Sequence, residues 1–238
     1  PRAELLAACR AAADLPQALA AVDVALWELE ARREGRPLAA LLCDRPAGSV
    51  PLSAALDAAE PPAAADAAAE AARRGFRCVK VKVGVGEDVI RVNAVRAAIG
   101  PDVALRLDAN GAWSPDEAAA RLDALTPARP ELVEEPVHGL AALRALSGRT
   151  QVPLAIDETA GDSGAVAAGV ADAVCLKLSR CGGISGLLEA AAAARQAGSR
   201  VYVGSTYDGP VGIAAALHAA AALAPDYALS LIHISEPT

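Results

Sequence analysis

The sequence predicts an α/β fold, a parallel (β/α)8-type barrel, and three observations carry that prediction. Residues 105–111 (Leu-Arg-Leu-Asp-Ala-Asn-Gly) form an alternating apolar run that stops at a carboxylate, an amide and a glycine. A strand delivering Asp108 to its C-terminal rim has that pattern. Two further apolar runs end the same way: residues 131–136 present Glu134 and residues 153–158 present Asp157, at spacings of 26 (108 to 134) and 23 (134 to 157) residues. Each interval has room for one helix, so strand, carboxylate and helix recur at the period of a βα unit, as in a barrel that gathers its acids on one face.

The elements follow in order. Residues 4–42 read as helical, because Leu19, Val22, Ala25, Leu26 and Leu29 recur at helical spacing, Pro16 stands near a start and Gly35 follows the basic pair Arg32 and Arg33. Residues 50–56 are a short extended run, and the Ala-rich stretch 63–72 reads as an amphipathic helix closed by Gly75. Residues 78–83 alternate strictly, which puts Lys80 and Lys82 on one face and Val79, Val81 and Val83 on the other. After a further helix come strands at 103–108, 131–134, 153–156, 173–178 and 201–205, with helices from Ser114 and at 139–146, 162–169, 184–197 and 210–223. That makes seven strands with the run at 50–56, and an eighth should start at 225–229.

Composition bounds the function. The 238 residues carry a net charge of −7 and 3% aromatics, which offers neither a basic footprint nor stacking surfaces for nucleic acid, while 54% hydrophobic residues supply a core. The longest apolar run, 211–224, is interrupted by His218 and falls short of the ~18 residues a membrane span needs. No signal peptide opens the chain, so a cytoplasmic protein without a membrane partner is expected. Cys9, Cys43, Cys78, Cys175 and Cys181 are scattered without a Cys-x-x-Cys pair and read as buried thiols.

Any one rim acid alone reads as a solvated loop residue, but three in phase make an all-oxygen site, which favours Mg²⁺. In a barrel the outward face of a strand packs on helices, so a lysine pair pointing inward must end in a polar site. Mutual repulsion and partial burial should there lower the ammonium pKa and fit a lysine to take a proton near neutral pH. Lys177 closes the strand at 173–178 and is expected across the mouth from Lys82. A metal between two lysines suits proton abstraction α to a carboxylate, with a small-molecule carboxylate as substrate and the second lysine steadying the enediolate. His138 and His218 lack partners at ligand spacing, and no Gly-x-Gly-x-x-Gly or Walker sequence occurs.

Lys80-x-Lys82, Asp108-Ala-Asn110, Val133-Glu-Glu-Pro136, Asp157-Glu158 and Leu176-Lys-x4-Gly-Gly183, in this order, resemble the muconate-lactonizing (mandelate racemase-like) subgroup of the enolase superfamily over residues 19–229. The resemblance implies an α+β capping domain, of which residues 1–45 are the helical remnant, and a modified barrel over 50–229. It implies Mg²⁺, with Mn²⁺ as a substitute, on Asp108, Glu134 and Asp157. Lys82 and Lys177 would be the acid/base pair, with Lys80 tuning Lys82. Asn110 and Glu158 would stand behind the ligands or against substrate, and Ser205, Thr206 and Asp208 would also contact substrate. A non-catalytic barrel is disfavoured, because none of the five metal and lysine positions is lost.

Within that subgroup, the stretches at 91–96, 106–111, 182–185 and 205–215 are most similar to actinobacterial o-succinylbenzoate synthases of menaquinone synthesis. Dehydration of a cyclohexadiene carboxylate is the reaction this implies. Residues 204–210 also resemble muconate cycloisomerases and acyl-amino-acid or dipeptide epimerases. The subgroup's capping sheet and a full eighth strand are not in this sequence, so the chain reads as a truncated piece of a monomeric or homo-oligomeric parent, expected to be inactive and aggregation-prone alone. Residues 230–238 break the Ala/Arg/Gly-rich character of the chain, resemble a translated sequencing adapter, and are read as a non-native tail too short to serve as an eighth strand.

Overall fold

The computed structural model describes residues 2–12, 15–57, 60–206 and 208–231, so most of the anomalous tail, 232–238, lies outside the described residues. The helical region resolves into α1 (Arg2–Ala12), α2 (Pro16–Glu34) and α3 (Leu38–Leu42). Pro16 opens α2, where its missing N–H costs nothing, and Gly35 closes it at φ +62°, with its N–H on the carbonyl of Arg32.

Strands and helices then alternate: β1 (Ser53–Leu56), α4 (Pro61–Arg73), β2 (Cys78–Lys82), α5 (Asp88–Ile99), β3 (Ala104–Asp108), α6 (Pro115–Leu125), β4 (Leu132–Glu134) and α7 (Leu140–Leu146). The series continues with β5 (Leu154–Ile156), β6 (Ala173–Lys177), α8 (Ile184–Gln196), β7 (Arg200–Gly204) and α9 (Gly209–Leu223). The sheet order is that of the chain, β1 to β7, and the pairings from β1 to β6 are parallel, which is the strand order of the expected barrel class. Register places the chemistry: Lys82 pairs with Asp108 and Asp108 with Glu134, so these three stand in one cross-strand row on one face.

The chain forms two compact units. Residues 51–175 and 197–199 make one, and residues 1–50, 176–196 and 200–238 the other. In the first, Ala64 and Ala68 of α4 and Val92 and Val95 of α5 are fully buried, and small alanines let these two helices pack closely. Burying side chains of the size of Leu105, Leu107 and Leu132, all fully buried, contributes roughly 1.5–3 kcal/mol each. In the second, Val201, Tyr202 and Val203 of β7 are fully buried, and Tyr202 meets Tyr227 edge-on at 6.1 Å.

Two sequence expectations change. The helix at 162–169 is replaced by short 3-10 turns at Glu158–Gly161 and Val166–Ala168. Gly164 turns the chain at φ +77°, and at Gly169 a Cβ would come within 2.7 Å of the Ala197 carbonyl. Ser230, the first residue of the tail, joins the sheet: its N–H donates to the Val203 carbonyl at 2.9 Å and its carbonyl accepts from Ser205 N–H at 3.1 Å. It thus forms an isolated parallel bridge with Gly204 at the edge of β7. Backbone pairing depends little on side-chain character, so composition misplaced this residue. Among the described residues no helix is long and apolar enough to cross a membrane.

Ser114 and Glu117 form a reciprocal cap at the start of α6: Ser114 N–H donates to Glu117 at 3.0 Å and Ser114 Oγ accepts from Glu117 N–H at 3.4 Å. Ser114→Ala should cost about 1 kcal/mol and lower Tm by roughly 2–4 °C in calorimetry.

Candidate active site

The rim of β2, β3 and β4 is a charge cluster. The Lys80 ammonium lies 2.7 Å from Glu134 Oε1 and 2.9 Å from Asp108 Oδ2, and all three side chains are close to fully buried. Lys82 is half-exposed and reaches the same Asp108 oxygen at 2.5 Å, with a second hydrogen bond to Asn110 Oδ1. Asn110 takes a left-handed φ of 45°, which asparagine tolerates, and its N–H returns to Asp108 Oδ1 at 3.0 Å. The strand run and the turn after it therefore converge on one carboxylate.

The expected sign of the lysine shift is corrected for Lys80. Burial disfavours its ammonium, but the Glu134 and Asp108 charges outweigh burial and hold its pKa above the ordinary lysine value. Burial also pushes Asp108 upward, yet Lys80 and Lys82 outweigh it and keep the carboxyl below its usual range. Glu134 goes the other way, raised by burial and by the charges of Asp108 and Asp157 despite Lys80. Glu134 and Asp157 oxygens and the Cys175 sulfur lie within 4.8 Å of one another. Asp108, held by both ammoniums, is not part of that trio, although Lys80 links it to Glu134. Three buried carboxylates against the two lysines leave one negative charge in excess among these five groups, and hard oxygen donors in that state fit a divalent cation such as Mg²⁺.

Sequence reasoning missed Glu135. Its backbone is left-handed at φ 42° and its carboxylate is fully buried, which demands hydrogen bonds. Oε2 accepts from Asp157 N–H at 2.8 Å; Oε1 accepts from Thr159 N–H at 3.1 Å and from the Thr159 hydroxyl, and faces His138 Nδ1 at 3.0 Å. One side chain thus ties the end of β4 to the loop carrying Asp157 and Glu158, the latter half-buried. The second glutamate of Val133-Glu-Glu-Pro136 was the available signal. Arg91 was missed as a support as well: buried with Asp88, it donates to the Lys82 carbonyl at 2.7 Å and to the Val85 carbonyl at 3.1 Å.

In the other unit Lys177 closes β6, half-buried. Ser179 Oγ lies 3.0 Å from Thr206 Oγ1, and Thr206 donates to Asp208 through its N–H at 2.9 Å and its hydroxyl at 2.6 Å. Ser205 is buried, and its backbone N–H donates to the Ser230 carbonyl. An apolar cavity of about 460 Å³ opens here, lined in part by Ala20, Val24, Leu178, Ser179, Asp208 and Val211.

With this geometry in hand, the description "enolase C-terminal domain-like" matches residues 63–237, well over half of the chain. The chain belongs to the enolase C-terminal domain-like family. Among its relatives, a hydrophobic dipeptide epimerase of Enterococcus faecalis is 36% identical over 216 residues, covering 87% of this chain and 61% of that protein. An o-succinylbenzoate synthase of Mycobacterium ulcerans is 42% identical over 186 residues, covering 74% of this chain and 54% of that protein. The crystal structure of the Enterococcus faecalis V583 dipeptide epimerase complexed with Mg and the dipeptide L-Leu-L-Tyr superposes with a TM-score of 0.85 at 33% identity, covering 91% of this chain and 63% of that one. The chain spans about three fifths of the length of these enolase-family relatives. A preference for the synthase over the epimerases does not emerge: the synthase is more identical, the epimerase matches more of the chain.

Lys80→Met should destabilise the chain by roughly 3–5 kcal/mol near pH 7, the cost of leaving buried carboxylates without their cation. In the native chain the depressed Asp108 contributes stability that is present above the ordinary carboxylate range and lost as pH falls through its lowered pKa. In the variant Glu134, already raised by burial, loses the ammonium that holds it down and rises further, so its protonation favours the fold and stability rises on acidification. Urea unfolding of both proteins between about pH 7 and pH 5 should show the variant recovering part of its deficit.

Proposed function

We propose that this chain carries the catalytic residues of an enzyme that removes the proton α to a substrate carboxylate, by way of an enediolate, with Lys82 and Lys177 as the acid/base pair. The observation that carries it is the rim cluster, where Lys82 shares an Asp108 oxygen with the buried Lys80 ammonium. Lys82 Nζ is half-exposed and can meet substrate while Asn110 and Asp108 orient it. Lys80, an ammonium fixed by two carboxylates, tunes Lys82 and does not itself exchange protons. Asp108, Glu134 and Asp157 would hold Mg²⁺ or Mn²⁺, which when bound draws charge from the substrate carboxylate and acidifies the α-proton. Glu135 keeps the Glu134 and Asp157 loops in register. Residues 1–45 are read as the helical part of a capping domain and 50–229 as the barrel.

The leading reaction is 1,1-proton transfer on a dipeptide or N-acylated amino acid: one lysine takes the proton and the other returns one to the opposite face. Its support is the extent of the epimerase match, 87% of the chain. Dehydration to o-succinylbenzoate is the second reading, favoured by the 42% identity to the Mycobacterium ulcerans synthase. Asn110, Glu158, Ser205, Thr206 and Asp208 remain proposed positions beside substrate or ligands.

With Mg²⁺ in D₂O, the full-length protein of which this chain is a part should wash deuterium into the α-position of L-Leu-L-Tyr and invert that carbon; loss of water from the cyclohexadiene carboxylate without exchange of dipeptides would select the second reading. Lys82→Ala and Lys177→Ala should each lower turnover by about 10²–10⁴-fold, the usual worth of a positioned acid or base. Undiminished exchange in the double variant would sink the lysine mechanism. Calorimetric Mg²⁺ titration should give binding that Glu134→Gln abolishes.

A further inference from the structure

Asp23, on α2, is fully buried, and the reading of Lys177 as a base gives that burial a purpose. A carboxylate so placed must be satisfied, and Asp23 spends both oxygens on one residue. Oδ2 accepts from Ser185 N–H at 2.9 Å and Oδ1 accepts from the Ser185 hydroxyl at 2.7 Å. Trp27, one turn along the same helix face, donates Nε1–H to that hydroxyl at 3.1 Å. Ser185 lies in the first turn of α8, where free amides and the helix dipole welcome a negative charge.

The helix sits hard against the turn that leads from Lys177 to α8. Gly183 has φ +108°, and a Cβ there would overlap the Asp23 carboxylate; Gly182 has φ +75°, and a Cβ there would lie 3.0 Å from Leu19 Cδ2. The turn closes on Lys177 itself. The Lys177 carbonyl accepts from Arg180 N–H at 3.0 Å and Cys181 N–H at 2.9 Å, and Gly183 N–H donates to the Leu178 carbonyl at 2.9 Å. Asp23 therefore holds the far end of a seven-residue loop (177 to 183) whose near end is anchored on the lysine.

We propose that Asp23 is a positioning residue for Lys177, a clamp from α2 that fixes the 177–183 turn and so the direction from which this lysine meets the α-carbon. The proposal rests on the lysine reading above and adds to it a residue that touches no substrate. A plain helix cap would stabilise the fold without favouring one lysine. A positioning clamp acts on one proton transfer and leaves the other.

Two isomeric probes separate these. Exchange in D₂O with Mg²⁺ is followed from L-Leu-L-Tyr and from L-Leu-D-Tyr, and Lys177→Ala identifies the isomer whose exchange needs Lys177. Asp23→Asn and the milder Ser185→Ala should lower kcat for that isomer by about ten- to a hundredfold, as small misplacements of a reacting group do, with KM and the other isomer nearly unchanged. Equal losses from both isomers, or none, would overturn the proposal.

A readout independent of turnover keeps the clamp separate from the reaction. Cys181 lies in the turn with its thiol pushed up to about 11 by burial, so alkylation by iodoacetamide at neutral pH should be slow in the native chain and faster in both variants, scored on the Cys181 peptide. If the full-length protein exchanges neither dipeptide, the epimerase reading fails, and Cys181 alkylation still decides the clamp: acceleration in the folded Ser185→Ala protein supports it and an unchanged rate overturns it.

Discussion

The buried Lys80 ammonium between Glu134 and Asp108 is the interaction around which the rim of this chain is arranged. Strands β2, β3 and β4 each send an ionic side chain into one cluster, and like charges from β3 and β4 could not be buried side by side without a cation between them. The register of the sheet sets Lys82 level with both acids, and Lys80, two residues earlier on the same face of β2, extends its ammonium between them. Once it is there, Asp108 is pinned, the Asn110 turn folds back on it, and Lys82 gains a fixed partner at the edge of the solvent-facing rim.

Much of this was legible from sequence because it is periodic. Strict alternation at 78–83 put both lysines on one face, and strand runs ending in an acid located Asp108, Glu134 and Asp157. What stayed hidden depends on contacts across long separations. Glu135 carries the same chemistry as Glu134 one residue earlier, and only its left-handed backbone turns it toward Thr159 and the Asp157 amide. Asp23 looks like any acid in an amphipathic helix until Ser185, distant in sequence, is seen to occupy both its oxygens. The direction of the Lys80 shift was misjudged because lysine–lysine repulsion is visible in a Lys-x-Lys pattern, whereas the two carboxylates that outweigh it come from other strands.

The two units carry their polar residues differently. In the unit with the acids, Lys80 is matched to Glu134 and Arg91 to Asp88 as direct ion pairs, while Glu135 rests on amides and a hydroxyl. In the unit with Lys177, buried Asp23 is matched to a backbone amide and a hydroxyl, and Asp208 likewise to Thr206. Paired ions tolerate little change in either partner, while amide and hydroxyl donors leave more room for substitution nearby. Diversity of substrate among relatives named as epimerases, racemases and synthases is easier to accommodate around the second kind of support.

The supports reach both lysines through the main chain. Arg91 grips the Lys82 carbonyl, and the amides of Arg180 and Cys181 grip the Lys177 carbonyl. Such a support fixes the backbone at a position and leaves the side chain there to its own contacts, which for Lys82 are Asp108 and Asn110. A different side chain exchanged in at 82 or 177 would still find its backbone held, so the frame outlasts a change in the group that it carries.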